Sequence, residues 1–222
     1  MSSSADRGVI VWEKGAGKDA DNYLPQMGVI KEQRANLDAK WNHRGDKFVV
    51  GSSSGYIYTG RYFRDNNFWV AHPISRKPSH KASVVCVTFD PQSSRVIASS
   101  SLDGTCQINS CYQKDIDTDS NGPFGNVESF GDTLLSFSCN GWINWCAFSS
   151  SANSLCYVSH DCELNFADVS DGGAGGKKTK SVKILHKGNP HFKCEFIAED
   201  KVIAGGYDKI PYVYTNAGGD WK

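Results

Sequence analysis

This chain of 222 residues carries no net charge: 24 Lys and Arg balance 24 Asp and Glu. Nothing global therefore draws it to nucleic acid or to an anionic membrane. No apolar run approaches the ~18 residues that a membrane-spanning helix needs. The opening residues, MSSSADR, lack the apolar stretch of a secretory signal. The eight cysteines (86, 106, 111, 139, 146, 156, 162 and 194) include no C-x-x-C pair. Cys106/Cys111, Cys139/Cys146 and Cys156/Cys162 are spaced by strands and turns and do not converge as metal ligands do. We expect reduced, buried thiols in a cytosolic protein, with no metal and no cofactor. The glycine-rich run at 172–178 lacks the strand–helix setting and the G-K-[ST] ending of a phosphate-binding loop. It reads as a flexible hairpin loop.

What is present is a repeat. Residues 141–168 hold three short apolar runs, 142–148, 155–159 and 164–167, separated by small polar turns. Runs of this length, punctuated by Ser, Asn and Asp, mark a β-meander. The same pattern recurs at 37–62, 84–109 and 192–215. An aromatic ends the first strand of each copy, at Trp41, Phe89, Phe148 and Phe196, with separations of 48, 59 and 48 positions. An acidic residue follows the second strand at Asp103, Asp161 and Asp208, and Ser54 holds that place in the remaining copy. A period of roughly 40–50 residues with three or four strands per unit predicts the blades of an all-β propeller. The blades' middle strands are mixed apolar runs without the in/out alternation of a half-solvated sheet. A β-sandwich is the plainer alternative.

In chain order, the spacing predicts the end of one blade over 1–32, with Asp6 and Trp12 in the turn and strand positions of a repeat. Complete blades follow over 33–75, 80–138 and 141–187, and three strands of a last blade over 190–215. The second blade carries a polar insertion at 113–132. Two arrangements fit this count. The terminal strands share a blade and close a four-bladed ring, or the chain forms an open arc of about four blades. We expect the arc.

Each candidate chemical group has a structural reading that outweighs it. Asp103, Asp161 and Asp208 stand at tight turns, where a carboxylate accepts backbone N–H bonds. His160 is beside Asp161, but neighbouring strand residues point to opposite faces, so turn capping is favoured over a dyad. Trp142 opens an innermost strand, and we expect it buried between blades. Two features are candidates for contact with a partner. One is the basic cluster containing Lys177, Lys178 and Lys180. The other is the Pro123-Phe124 pair, which is either tucked onto the blade or presented outward.

The residues also resemble a known family, the WD-repeat subunit (subunit 1) of the actin-related protein 2/3 complex. The resemblance is strongest at 122–125 (GPFG), 138–142 (SCNGW), 146–149 (CAFS) and 158–161 (VSHD), with further agreement at 33–35 and 204–208. It covers essentially the whole chain. Members are seven-bladed, so the resemblance implies an incomplete arc from such a ring. It implies a non-enzymatic scaffold in the actin-rich cortex of the cytoplasm that supports nucleation of branched actin filaments. Its implied partners are the other subunits of that complex, including the actin-related proteins, with actin filaments and nucleation-promoting factors touched indirectly. The general WD-repeat hydrogen-bonding set is incomplete here: His80, Ser99 or Ser100, and Asp103 are candidates, but Asn109 stands where Trp is expected. An unrelated WD-repeat adaptor, a small closed propeller binding peptides, is the alternative. A hydrolase using Cys or His on the rim ranks last because no motif supports it.

Overall fold

The computed structural model describes residues 1–15, 21–30, 34–65, 68–172 and 180–222. Within them the chain is all-β, and its strands fall into four sheets. The first contains β1 (Ser2–Ser3), β2 (Val9–Lys14), β3 (Tyr23–Ile30), β4 (Asn36–Trp41), β5 (Lys47–Ser52), β6 (Ile57–Phe63) and β7 (Phe68–Pro73). The second is the meander β8 (Val84–Phe89), β9 (Val96–Ser101), β10 (Thr105–Cys111) and β11 (Phe130–Ser138). The third is β12 (Ile143–Phe148), β13 (Ser154–Ser159), β14 (Glu163–Asp168) and β15 (Ser181–Leu185). The fourth is β16 (His191–Ala198), β17 (Lys201–Gly206), β18 (Tyr212–Ala217) and β19 (Asp220–Trp221).

The sheets stack in chain order through their inner strands: β8 packs on β4 and β5, β12 on β8 and β9, and β16 on β12 and β13. This stacking explains the mixed apolar runs, since β5 and β9 are buried along their whole length. Phe89 and Phe148 end their strands inside the stack, and Trp41 lies half-buried against Phe48 and Trp69. A four-bladed ring would require residues 9–12 to share a sheet with residues 192–206. Instead β2 pairs with β1 and β3. The propeller is an open arc.

Both ends differ from expectation. The N-terminal strands do not stand apart as the end of another blade. β3 pairs in parallel with β7, Gly28 opposite Trp69 and Ile30 opposite Ala71, which makes one sheet ordered β1-β2-β3-β7-β6-β5-β4. The pairing satisfies two strand edges that would otherwise present bare backbone groups. The sheet then folds back on itself. The Asn36 amide donates to the Ser4 carbonyl at 3.1 Å, and Val9 is buried with Phe48, Val50, Tyr58 and Ala71. At the C-terminal end, where three strands were expected, β19 adds a short fourth. Trp221 stacks on Phe166 of the third sheet with ring centroids 3.7 Å apart.

One side chain sits opposite to expectation, and a second takes one of the two places left open for it. Trp142 is not buried between blades; it is 54% exposed, because β12 begins one residue later, at Ile143, and Trp142 still belongs to the turn. Phe124 is fully buried and meets the Phe148 ring edge-on at 6.0 Å. It is a core residue that reaches in from the insertion, so it is withdrawn as a partner-binding candidate. An apolar ring set in a polar loop gains most by leaving water.

Candidate functional site: an aromatic face over the blade turns

In the second, third and fourth sheets the turn after the second strand is pinned by the Asp residues singled out in the sequence. In the second sheet, Asp103 accepts from the Lys81 amide at 2.8 Å, the Thr105 amide at 2.9 Å and the Thr105 hydroxyl at 2.6 Å. The buried His80 ring faces Thr105 Oγ1 and Asp103 through Nδ1, at 2.9 and 3.4 Å, and Ser99 Oγ through Nε2 at 2.8 Å. Ser99, not Ser100, is thus the hydroxyl of this set. Asn109, in place of Trp, is buried and accepts from Thr133 Oγ1 at 2.7 Å. Burial raises the Asp103 carboxyl, but the bonds from His80, Thr105 and Lys81 outweigh it and hold the group well below the usual range.

In the third sheet, Asp161 accepts from the Ser159 hydroxyl and from the Gly141 amide at 3.1 Å. A Cβ on Gly141 would sit 2.8 Å from the Asp161 backbone nitrogen, so only glycine permits this approach. In the fourth sheet a longer chain forms. Asp208 Oδ2 lies 3.0 Å from His186 Nε2, His186 Nδ1 lies 3.1 Å from the Tyr214 hydroxyl, and that hydroxyl lies 2.8 Å from His191 Nε2. With Asp208 ionised the donors run one way: His191 N–H to Tyr214, Tyr214 O–H to His186, His186 N–H to Asp208. The His186 bond, followed by bonds from Asn189, holds Asp208 below its ordinary range. Burial pushes His191 down to about 4 and Tyr214 up to about 12. At the N-terminal turn, Asp6 accepts from the Gly8 amide at 2.9 Å, and Trp12 donates its indole N–H to Ser2 at 3.1 Å.

These pinned turns carry an aromatic surface. His160 and Tyr207 immediately precede Asp161 and Asp208, and each Asp is drawn into its turn network. His160 and Tyr207 are exposed. The His160 ring lies over Trp142 at 5.3 Å and meets Tyr207 edge-on at 6.0 Å, while Phe192 meets Tyr207 edge-on at 6.4 Å. Trp142, Phe192, Tyr207 and Ile210 are each more than half exposed. A contiguous run of exposed rings on two adjacent blades, Trp142, His160, Tyr207 and Phe192, is the composition of a protein-binding surface, rich in the Trp and Tyr that anchor interfaces. It offers no nucleophile–base pair: His160 makes ring contacts with Trp142 and Tyr207, while Asp161 is engaged with Ser159 and Gly141.

The other sequence candidates do not join this face. Pro123 is half-buried, its carbonyl close under Gly172. Lys180 is exposed and directly precedes β15, the edge strand of the third sheet; its carbonyl accepts from the Asp168 amide at 2.9 Å. On the same edge Lys183 reaches Glu163 at 2.6 Å. Lys177 and Lys178 lie outside the described residues, as does Gln33.

One group escaped the sequence reading. Lys47 is fully buried and contacts both Asp117 oxygens at 2.8 and 2.7 Å, with the Ser94 and Cys111 carbonyls at 2.7 and 3.2 Å. Arg44 lies 3.6 Å from Asp117 and donates to the Ile116 carbonyl at 2.7 Å, and Arg95 donates to the carbonyls of Asp117, Asp119 and Val127. Burial pushes the Asp117 carboxyl up, against the pull of Lys47. The network ties the insertion of the second blade to the first. The only sequence signal was a Lys opening an otherwise apolar strand.

No family model matches the chain. The chain is similar to subunit 1 of the actin-related protein 2/3 complex. Subunit 1A-B of Xenopus laevis is 30% identical over 220 residues, covering 97% of this chain and 56% of that protein. Subunit 1A of Arabidopsis thaliana is 30% identical over 219 residues, covering 97% of the chain and 54% of that protein. Subunit 1 of Saccharomyces cerevisiae is 27% identical over 225 residues, covering all of the chain and 55% of that protein. The resemblance carried by the quoted motifs is therefore borne out over the whole chain. The chain spans about half the length of these relatives.

Proposed function

We propose that this protein is a scaffold subunit of an actin-related protein 2/3 complex, supporting the nucleation of branched actin filaments through protein–protein contacts. The observation that carries the proposal is the similarity across essentially the whole chain to relatives named as subunit 1 of that complex, from animal, plant and yeast. The geometry supports the same reading. The conspicuous polar groups of the blades are consumed in holding turns, and what the turns present outward is an aromatic surface. The role is therefore non-enzymatic, with the other subunits of the complex as partners, the actin-related proteins among them, and the actin cytoskeleton as the site of action. Actin filaments and nucleation-promoting factors are met through the assembly. The unrelated peptide-binding adaptor loses its structural basis, since it called for a closed small ring.

Affinity capture of the tagged chain from its own cells, read by mass spectrometry, tests the proposal. The expected eluate contains both actin-related proteins in amounts comparable to the bait. An eluate lacking both would overturn it.

A further inference from the structure

A second surface lies between the first two blades, apart from the aromatic face of the third and fourth sheets. A cleft of about 400 Å³ opens there. The strand register sets its floor. Thr59, Arg61 and Phe63 alternate onto one face of β6, with Thr59 opposite His72 of β7 and Arg61 opposite Val70. All five line the cleft, together with Lys114 of the insertion and Phe130 of β11. The insertion side is fixed in place. The amides of Ile116 and Asp117 close a turn onto the Gln113 carbonyl at 3.0 and 2.9 Å. β11 approaches β7 at Gly131, whose φ is +82° and where a Cβ would run into the Ile74 carbonyl, so only glycine fits.

The polar groups of this cleft are poorly matched from within. Thr59 is 1% exposed, and its hydroxyl has no hydrogen-bond partner. A buried hydroxyl left unpaired is costly, so one that lines a cleft points to an acceptor supplied by a ligand. His72 and Lys114 are exposed, and their side chains have no partner among the described residues. Arg61 lies over Phe63 at 4.5 Å and reaches Asp115 at 3.7 Å, but that carboxylate is 77% exposed. So exposed a pair is weak and is readily replaced. Three basic side chains against one carboxylate make the cleft complementary to an anion.

The apolar groups restrict which anion. β6 sets the Thr59 hydroxyl and the Arg61 guanidinium two residues apart on one face. β7 sets Val70 directly opposite Arg61, where side chains of paired strands stand about 5 Å apart. An anion and an apolar group that fill this space together must branch from nearly the same atom. The last residue of a polypeptide has that chemistry, since its carboxylate and side chain share one Cα.

We propose that this cleft binds the free C-terminus of a protein partner that ends in an aliphatic residue. The carboxylate sits between Thr59 and Arg61, with Lys114 at the mouth, and the side chain rests on Val70 against Phe130. His72, which carries a ring N–H in either protonation state, adds a donor beside Thr59.

The test uses four short peptides with blocked N-termini, read by the backbone amide resonances of the ¹⁵N-labelled chain. One ends in Gly-Ser-Leu with a free carboxylate, and a second is its C-terminal amide. A third has a free carboxylate but serine in place of leucine, and the fourth is a C-terminal amide carrying phosphoserine. The free acid ending in leucine is expected to shift Thr59, Arg61 and Val70, and its amide to bind about tenfold more weakly. The serine peptide should also bind more weakly, because Val70 and Phe130 stay wet. Arg61→Gln should weaken the free acid by about tenfold. Thr59→Val keeps the side-chain shape and removes the unpaired hydroxyl. It should weaken the free acid while leaving the unfolding midpoint unchanged or raised. Equal binding of acid and amide, no loss with serine, tighter binding of the phosphoserine peptide, shifts confined to the third and fourth sheets, or no shift at millimolar peptide would each overturn the proposal. No actin-related protein enters these readouts, so this proposal and the scaffold proposal fail separately.

Discussion

The strands β9 and β17 occupy the same place in their blades, yet their surroundings differ. All six residues of β9 are buried, whereas only Val202 and Ala204 of the six in β17 are. Both strands are short and end in small residues. The difference lies in what flanks them. The second sheet has a neighbour on each face, and among the described residues the fourth packs on the third alone. Ile197 and Val213 of the fourth sheet are consequently more than half exposed. Burial here is a property of position in the stack rather than of the strand, so equal residues carry unequal energies along the arc.

The contrast is sharpened most strongly in its interior. Lys47→Met strands the Asp117 carboxylate without its main partner, and we expect a loss of about 3–5 kcal/mol in denaturant unfolding. Lys47→Met combined with Asp117→Leu should recover much of it, since both desolvated charges are then gone. Phe124→Ala should cost a similar amount, about 3–5 kcal/mol, through the cavity it leaves. Ile197→Ala, on the open face of the last sheet, should change stability by less than about 0.5 kcal/mol. A cost of Ile197→Ala near that of Phe124→Ala would erase the distinction between the two ends of the stack.

Acid acts on the contrast next. The folded His191 value is lowered to about 4, below its ordinary 6.5. The unfolded chain therefore binds the proton first, and stability falls as pH drops from about 6.5 toward 4. The loss is about 1–3 kcal/mol. His191→Gln should flatten the slope in that window. The depressed Asp103 works below it: its contribution is full above the unfolded carboxylate value of 3.8 and is lost as pH falls through the lower folded value. A stability profile flat from pH 6.5 to 4 in the unmodified chain would contradict the buried, neutral His191.

The smallest stability effect, with the largest change in behaviour, belongs to the open face. Exposed apolar side chains on a sheet face favour association. Light scattering should show concentration-dependent oligomers of the 222-residue chain. Ile197→Lys with Val213→Lys should make it monodisperse at nearly unchanged stability. A unmodified chain that is monomeric at all concentrations would show the face to be tolerated in water.

Much of this was legible in the sequence, and the exceptions share a cause. Strand positions and the recurring Asp turns followed from local pattern, because turns and strand runs are written in adjacent residues; the open arc was one of two arrangements that the strand count allowed. The sequence also singled out Trp142, but as a buried side chain. It sits one residue outside β12, and a shift of that size decides whether a side chain enters the stack or stays on the turn. Phe124 hides because its partner Phe148 lies on another sheet. The Lys47–Asp117 pair spans 70 positions, and no local signal couples them. The parallel join of β3 to β7 depends on which strand edges lack a partner, and that is a property of the assembled fold. Long-range pairing of polar groups and edges was the part that residue order alone did not show.

The central claim is that the aromatic face over the turns serves partners and not the fold. The most direct test is a Trp142→Ala/Tyr207→Ala double variant, with thermal midpoint and capture of the actin-related proteins measured on the same preparation. Both residues are more than half exposed, so the midpoint should stay within the range of ordinary surface substitutions while capture falls at least about tenfold. An unchanged midpoint with undiminished capture, or a midpoint lowered as by a core truncation, would contradict the claim.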